Sequence, residues 1–156
     1  MKKFIIFPAL FVLIVVFSGC VKSKTCTPNP PSSESLSILA YAAANGMTVT
    51  AHSSGLYYEI LNPGSGGLLT ANSRIKITYV GELLDGTEFD RRDTPNNPAW
   101  VLGGLIEGWQ IGIPLIQKGG HIKLLIPSAL AYGCQPYGPL PGNSILYFDI
   151  TLVDVE

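Results

Sequence analysis

Residues 75–90 read IKITYVGELLDGTEFD, a strand, a turn and a return in sixteen residues. Ile75, Ile77 and Tyr79 face one way and Lys76 and Thr78 the other. A two-residue period of this kind predicts a half-buried β-strand, here over Arg74–Gly81. Asp85-Gly86 is a hairpin signal, because both residues tolerate the backbone angles of a tight turn. It carries the chain back to Phe89-Asp90. Working outward, the same period recurs at His121–Ile126 and Ile145–Val155 downstream. Upstream it recurs at Leu56–Leu61, closed by the turn residues Asn62–Gly67, and more weakly at Thr48–Thr50. Trp109–Gln117 is the one candidate helix among these strands. It is poor by propensity, with Gly112 and Pro114 inside it, and Pro114 removes a bond to Gln110, so the helix is expected to end or kink there. Lys118-Gly119-Gly120 turns the chain, and Pro127–Asn143 is a Pro/Gly-rich loop. Many strands, one short helix and long loops predict an α+β fold, an antiparallel, strongly twisted sheet wrapped on that helix.

Ahead of this domain, Ser33–Asn45 reads as a helix, with Glu34 near its start, alanines through its body and Gly46 as its stop. Leu36, Leu39, Ala40 and Ala43 share one face. About three turns are marginal alone, so the helix should dock on the domain, and it is too short to dimerise by itself. The first residues have another character. Lys2 and Lys3 precede the apolar run Phe4–Phe17, which at fourteen residues is short of the roughly 20 a bilayer span needs. It suits the apolar region of a signal peptide. Phe17-Ser18-Gly19-Cys20 then resembles the lipobox of bacterial lipoproteins, which implies that Cys20 is lipidated and heads the mature chain. The alternative is an ordinary cleaved signal beside a chance cysteine. The organisation expected is a signal at 1–19, a Pro/Ser-rich tether at 20–32, a helix and connecting strand at 33–54, and the main domain at 55–156. An envelope location follows: lipid-anchored, periplasm-facing by default, and at the outer membrane because Val21 rather than aspartate follows Cys20.

The chain of 156 residues is 47% hydrophobic, ample for one core, and carries ten basic and eleven acidic side chains. No basic block occurs, which argues against nucleic acid as a partner. Loss of residues 1–19 leaves eight basic against eleven acidic groups, so acyl chains rather than charge would hold the chain to a membrane. The two remaining cysteines, Cys26 and Cys134, meet oxidising conditions in an exported chain. They are either bridged, tying the tail to the loop after Tyr132, or free thiols. Neither His52 nor His121 has ligand partners at a metal-binding spacing. Motifs of nucleophilic, phosphate-binding or dithiol chemistry are absent from the sequence, and Asp90 with Asp93 reads as surface rather than a catalytic pair. What remains is aromatic: Tyr79, Phe89, Trp100, Trp109, Tyr132, Tyr147 and Phe148. Taken alone, most of these read as core.

Four ordered segments change that weighting: TYVGELLDGTEFD, GGLIEGW, IPSALAYG and ILYFDITLVDV. Together they resemble the FKBP-type peptidyl-prolyl isomerases over about Gly55 to Glu156. The resemblance implies an enzyme that rotates X-Pro bonds in proline-containing polypeptides without metal, cofactor or covalent intermediate. Macrolide inhibitors would be further ligands. Carried over by position, Tyr79 and Phe89 line a pocket with Asp90 at its polar edge. Trp109 is the floor, with Leu105 and Ile106 above it and the Ile106 N–H as a donor to substrate. Tyr132 offers its hydroxyl to a substrate carbonyl, Leu140 lies on an overhanging loop, and Phe148 closes the wall. Trp100 and Tyr137 are further candidates at the rim, Trp100 on a segment one residue short of the family pattern and Tyr137 where some members carry histidine. Arg91-Arg92-Asp93 stands where small serines are usual, so the basic partner of Asp90 is either arginine or neither. Three functions are compatible with these residues: an isomerase for exported proteins, a binding module that keeps the fold without turnover, and an assembly factor anchored to an envelope complex. The oligomeric state is open.

Overall fold

The computed structural model describes residues 26–156. The expected signal peptide, the lipidation site Cys20 and the first residues of the tether lie outside the described residues. Helix α1 spans Pro31–Ala44. Seven strands follow: β1 (Thr50–Ala51), β2 (Tyr57–Asn62), β3 (Arg74–Leu83), β4 (Glu88–Arg92), β5 (Trp100–Val101), β6 (His121–Ile126) and β7 (Leu146–Val155). They form one sheet in the order β1-β2-β6-β7-β3-β4, with β5 also on β3. Every pairing is antiparallel. The α+β architecture is the one the strand periods predict. Among the described residues no helix is long and apolar enough to cross a membrane.

The long strands β3 and β7 pair at the centre, and both keep a strict alternation. Ile75, Ile77 and Tyr79 from β3 and Leu146, Phe148, Ile150 and Leu152 from β7 enter one core. Helix α2 (Glu107–Gly112) lies across this face and passes into a tight turn at Ile113–Leu115, so the helix changes character at Pro114 as its missing N–H requires. It begins two residues earlier than the periodicity suggests. Gly108 and Gly112, liabilities by propensity, are what permits it to sit there. A Cβ on Gly108 would stand 2.4 Å from Ile126 Cγ2, and one on Gly112 2.6 Å from Leu124 Cδ2. Two glycines one turn apart bring the helix backbone down onto β6.

Helix α1 docks, but on a different face from the one its leucines suggest. Glu34, Ile38 and Ala42 are buried, whereas Leu36 is 83% exposed and Leu39 44%. Ala40 and Ala43 are exposed as well. The rotation is set by a polar contact. The Glu34 carboxylate accepts the Ser128 N–H at 2.7 Å and the Ser128 hydroxyl at 2.6 Å, and Asn29 donates to it at 3.1 Å. With Glu34 turned inward, residues four and eight further on must follow it. Ile38 and Ala42 then pack with Leu125, Tyr57 and Tyr147. The helix starts at Pro31, where a proline has no N–H to lose, rather than at Ser33. A disulfide joins Cys26 to Cys134, with Cα atoms 5.8 Å apart and the two cysteines 108 positions apart in sequence. Residues 26–30 are thereby held on the domain.

Candidate functional site

Seven parts of the chain converge on one cavity of about 180 Å³. Strand β3 supplies Tyr79, β4 Asp90, β5 Trp100 and β7 Phe148. The turn before α2 supplies Leu105 and Ile106, α2 itself supplies Trp109, and the loop after β6 supplies Tyr132. A larger groove of about 650 Å³ runs between α1 and the β3–β4 turn, past Tyr41, Leu83 and Leu84. It is open and holds no comparable convergence of rings, so the smaller cavity is the candidate site.

Its base is Trp109, 5% exposed. Three rings meet edge to face around it. Trp109 and Phe148 have centroids 4.9 Å apart at 80°, Tyr79 and Trp109 5.0 Å at 77°, and Tyr79 and Phe148 6.0 Å at 65°. These are favoured geometries for aromatic pairs, which fixes each ring by its neighbours. Phe148 lies opposite Gly81 in the β3–β7 ladder. A Cβ at Gly81 would be 2.7 Å from Phe148 and 2.9 Å from Phe89, so glycine leaves the room that both rings occupy over the strand. At the rim the Tyr79 hydroxyl donates to Asp90 Oδ2 at 2.6 Å. Burial, then the bond to Asp90, pushes the Tyr79 phenol well above its ordinary pKa of 10.0. Tyr132 is also raised, first by burial and then by Tyr137 and Asp90 nearby, so its hydroxyl stays a donor through neutral and mildly alkaline pH. That hydroxyl and the Ile106 N–H have no hydrogen-bond partner among the described residues, which leaves both for a ligand.

Three further expected site residues, Phe89, Leu140 and Tyr137, stand around the rings that border the cavity. Phe89, left unpaired where the β3–β4 register shifts, packs its ring on Phe148 at 5.5 Å and 85°. Leu140 is 3% exposed and buried in the core, since a backbone bridge to Tyr137 folds its loop inward. Tyr137 is 59% exposed and stacks face to face on Tyr132 at 4.2 Å and 8°, supporting that ring from outside. The arginines are separated by strand alternation. Arg91 points outward and pairs with Glu88 at 2.7 Å and Asp93 at 3.2 Å. Arg92 lies opposite Tyr79 in register, with its guanidinium carbon 5.0 Å from the Trp100 ring centroid. Neither forms an ion pair with Asp90 among the described residues.

Two supporting side chains carry no aromatic or charge signal and escape a reading of the sequence. Asn96 is 1% exposed, accepts the Ile77 N–H at 2.8 Å and donates to Ile75 O at 3.0 Å. It pins the segment leading to Trp100 onto β3. Gln110 donates to Leu105 O at 2.7 Å and shapes the turn that presents Ile106. No cluster of His, Cys, Asp or Glu suited to a metal ion occurs among the described residues.

The family model described as FKBP-type peptidyl-prolyl cis-trans isomerase matches residues 67–153, which contain every lining residue of the cavity. This chain belongs to the FKBP-type peptidyl-prolyl isomerase family. It is 44% identical over 110 residues to the FKBP-type isomerase FkpA of Buchnera aphidicola (Schizaphis graminum), covering 69% of this chain and 44% of that protein. To FkpA of Escherichia coli K12 it is 41% identical over 109 residues, covering 69% and 40%. The chain thus spans less than half the length of these curated relatives. The crystal structure of FkpA from Escherichia coli superposes with a TM-score of 0.70 at 35% identity, over 81% of this chain and 61% of that one. A peptidyl-prolyl isomerase from Pseudomonas syringae pv. tomato superposes with a TM-score of 0.67 at 30% identity, over 84% and 99%. The part of this FKBP-type chain outside the matched residues includes α1, β1 and β2.

Proposed function

We propose that the chain is a peptidyl-prolyl cis–trans isomerase acting on X-Pro bonds of exported polypeptides. The observation that carries this reading is the cavity itself: an indole base, two further rings set edge-on to it, and two unspent donors at its mouth. At about 180 Å³ it is smaller than the roughly 300–1,000 Å³ of sites for drug-sized molecules, and suits one prolyl ring. Turning an X-Pro amide costs about 18–20 kcal/mol, because rotation breaks amide resonance, and unaided exchange takes tens to hundreds of seconds. The catalyst need only bind the twisted amide more tightly than the planar one, and about 1.4 kcal/mol of that preference is worth tenfold in rate. Trp109, Tyr79 and Phe148 hold the prolyl ring, while the Tyr132 hydroxyl and Ile106 N–H hold carbonyls on either side. The twisted amide has less charge separation than the planar one, so an apolar cavity disfavours it less. Macrolides, being larger than the cavity, would seat one ring-bearing portion in it.

The domain boundaries fit this function: a signal at 1–19, a tether from 20, a docked helix and strand to 54, and the isomerase domain at 55–156. Export, lipidation at Cys20 and a periplasm-facing outer-membrane site are part of the proposal. The Lys2-Lys3 start, the apolar run and the small residues before Cys20 support it, and the Cys26–Cys134 disulfide suits an oxidising compartment. A protease-coupled assay with a proline-containing peptide tests the activity. Catalysis that collapses in Trp109→Ala, with the fold intact by circular dichroism, is the result expected. Activity of the parent chain equal to buffer, with peptide binding retained, would instead make it a binding module. Mass spectrometry of the mature N-terminus tests the anchor, which requires Cys20 as first residue with acyl chains attached.

A further inference from the structure

Tyr132 sits in a turn whose frame is built by Ser128. The Ser128 carbonyl accepts the N–H of Ala131 at 3.1 Å and of Gly133 at 2.8 Å, the two neighbours of Tyr132. Ser128 itself is fully buried, and its own N–H and hydroxyl both donate to Glu34, 94 residues earlier. A buried carboxylate accepting several bonds is a stiff anchor, since bonds to a charged acceptor are shorter and stronger than neutral ones. On the far side of Tyr132, Cys134 is bridged to Cys26. Between these points Pro28 lies against Gly133, 3.6 Å from where a Cβ would stand. The Tyr132 turn is therefore gripped at both ends and in the middle by residues 26–34. All of these lie outside the residues that match the family model.

We propose that the segment Cys26–Glu34 is a clamp that positions Tyr132 for isomerisation, with Glu34 as the positioning residue acting through Ser128. The inference rests on the role given to Tyr132 above. A hydroxyl that must meet a substrate carbonyl gains from a fixed backbone, because small misplacements of a catalytic group are costly in rate. The extension then serves the site directly and is more than a spacer.

The test is a double-mutant cycle on the full chain, measuring kcat and KM with a proline peptide. Tyr132→Phe sets the scale of what the hydroxyl contributes. Glu34→Ala should lower kcat/KM by about 3- to 10-fold, the size of one lost hydrogen bond, and mainly through kcat. On the Tyr132→Phe background it should change kcat/KM less than about twofold, because the group it positions is already gone. Glu34→Gln keeps one oxygen acceptor for Ser128 and should recover most of the loss. If Glu34→Ala does not fold, the paired Cys26→Ser and Cys134→Ser variant opens the clamp at its other end and enters the same cycle. Equal losses in both backgrounds would make Glu34 a merely structural residue and overturn the clamp. So would parent-like activity of the opened clamp while Tyr132→Phe is impaired. Parent-like activity of Tyr132→Phe itself would remove the role of the hydroxyl, a separate failure of the proposed site on which the clamp rests.

Discussion

Gly81→Ala should damage both the stability and the activity of this chain without replacing any residue that lines the cavity. Gly81 is not among the residues with positive φ, so alanine suits its backbone, and the whole effect is steric. The added methyl would meet Phe148 at 2.7 Å and Phe89 at 2.9 Å, where ordinary contact begins at 3.4 Å. Phe148 must move by about 0.7 Å, and it has no free direction, because Trp109 and Tyr79 stand edge-on against it at 4.9 and 6.0 Å. Overpacking of this kind costs about 1–3 kcal/mol. Urea unfolding of the purified protein should show that loss as a lower midpoint at unchanged slope. The displaced ring narrows a cavity of only about 180 Å³, so kcat/KM for a proline peptide should fall by roughly tenfold, less than the hundredfold a full 1 Å error can cost. Phe89→Leu in the same chain removes the Phe89 atom from the clash and should restore part of both quantities. Parent-like stability and turnover in Gly81→Ala would refute the argument that these rings form a rigid wall.

Other perturbations separate the roles of neighbouring residues. Trp109→Ala should lose about 3–5 kcal/mol of stability as well as its activity, since it empties the base of the core and of the site together; calorimetry and the peptide assay read the two. Arg91→Ala should leave turnover unchanged, because Arg91 is spent outward on Glu88 and Asp93, whereas Arg92→Ala should raise KM by freeing the Trp100 ring. The losses from Tyr79→Phe and Asp90→Ala should be strongly non-additive in a cycle, as expected of partners in one bond of 2.6 Å. Tyr79, Tyr132 and Tyr147 all have their pKa raised on folding, chiefly by burial. The folded chain therefore holds their protons longer than the unfolded one. Stability from this source is complete below the ordinary value of 10.0 and should fall as pH rises beyond it, measurable by urea midpoints across alkaline buffers.

The strands were legible in the sequence because alternation is a local property: on a pleated strand, residues two apart must share a face whatever lies above them. That sufficed for β3, its hairpin with β4, β6, β7 and the α+β class. The ordered aromatic segments likewise named the rings of the site. Helix α1 marks where local reasoning ends. Its leucines, with Ala40 and Ala43, mark one apolar face, and Glu34, a charged residue, would ordinarily face water. The donors of Ser128, 94 residues away, joined by Asn29, make its burial favourable and so choose the face. The same limit applies to Gly108 and Gly112, whose low propensity argues against a helix until β6 is seen beneath it. It applies to Arg91 and Arg92, identical in composition and opposite in direction, and to Phe89, Leu140 and Tyr137, aromatic or apolar like the lining residues but placed behind or beside them. Periodicity, turn chemistry and the roster of rings came from the sequence alone. Which side chains meet, and which of them border the cavity, was decided by contacts between segments far apart in the chain, where close packing admits one arrangement and excludes its neighbours.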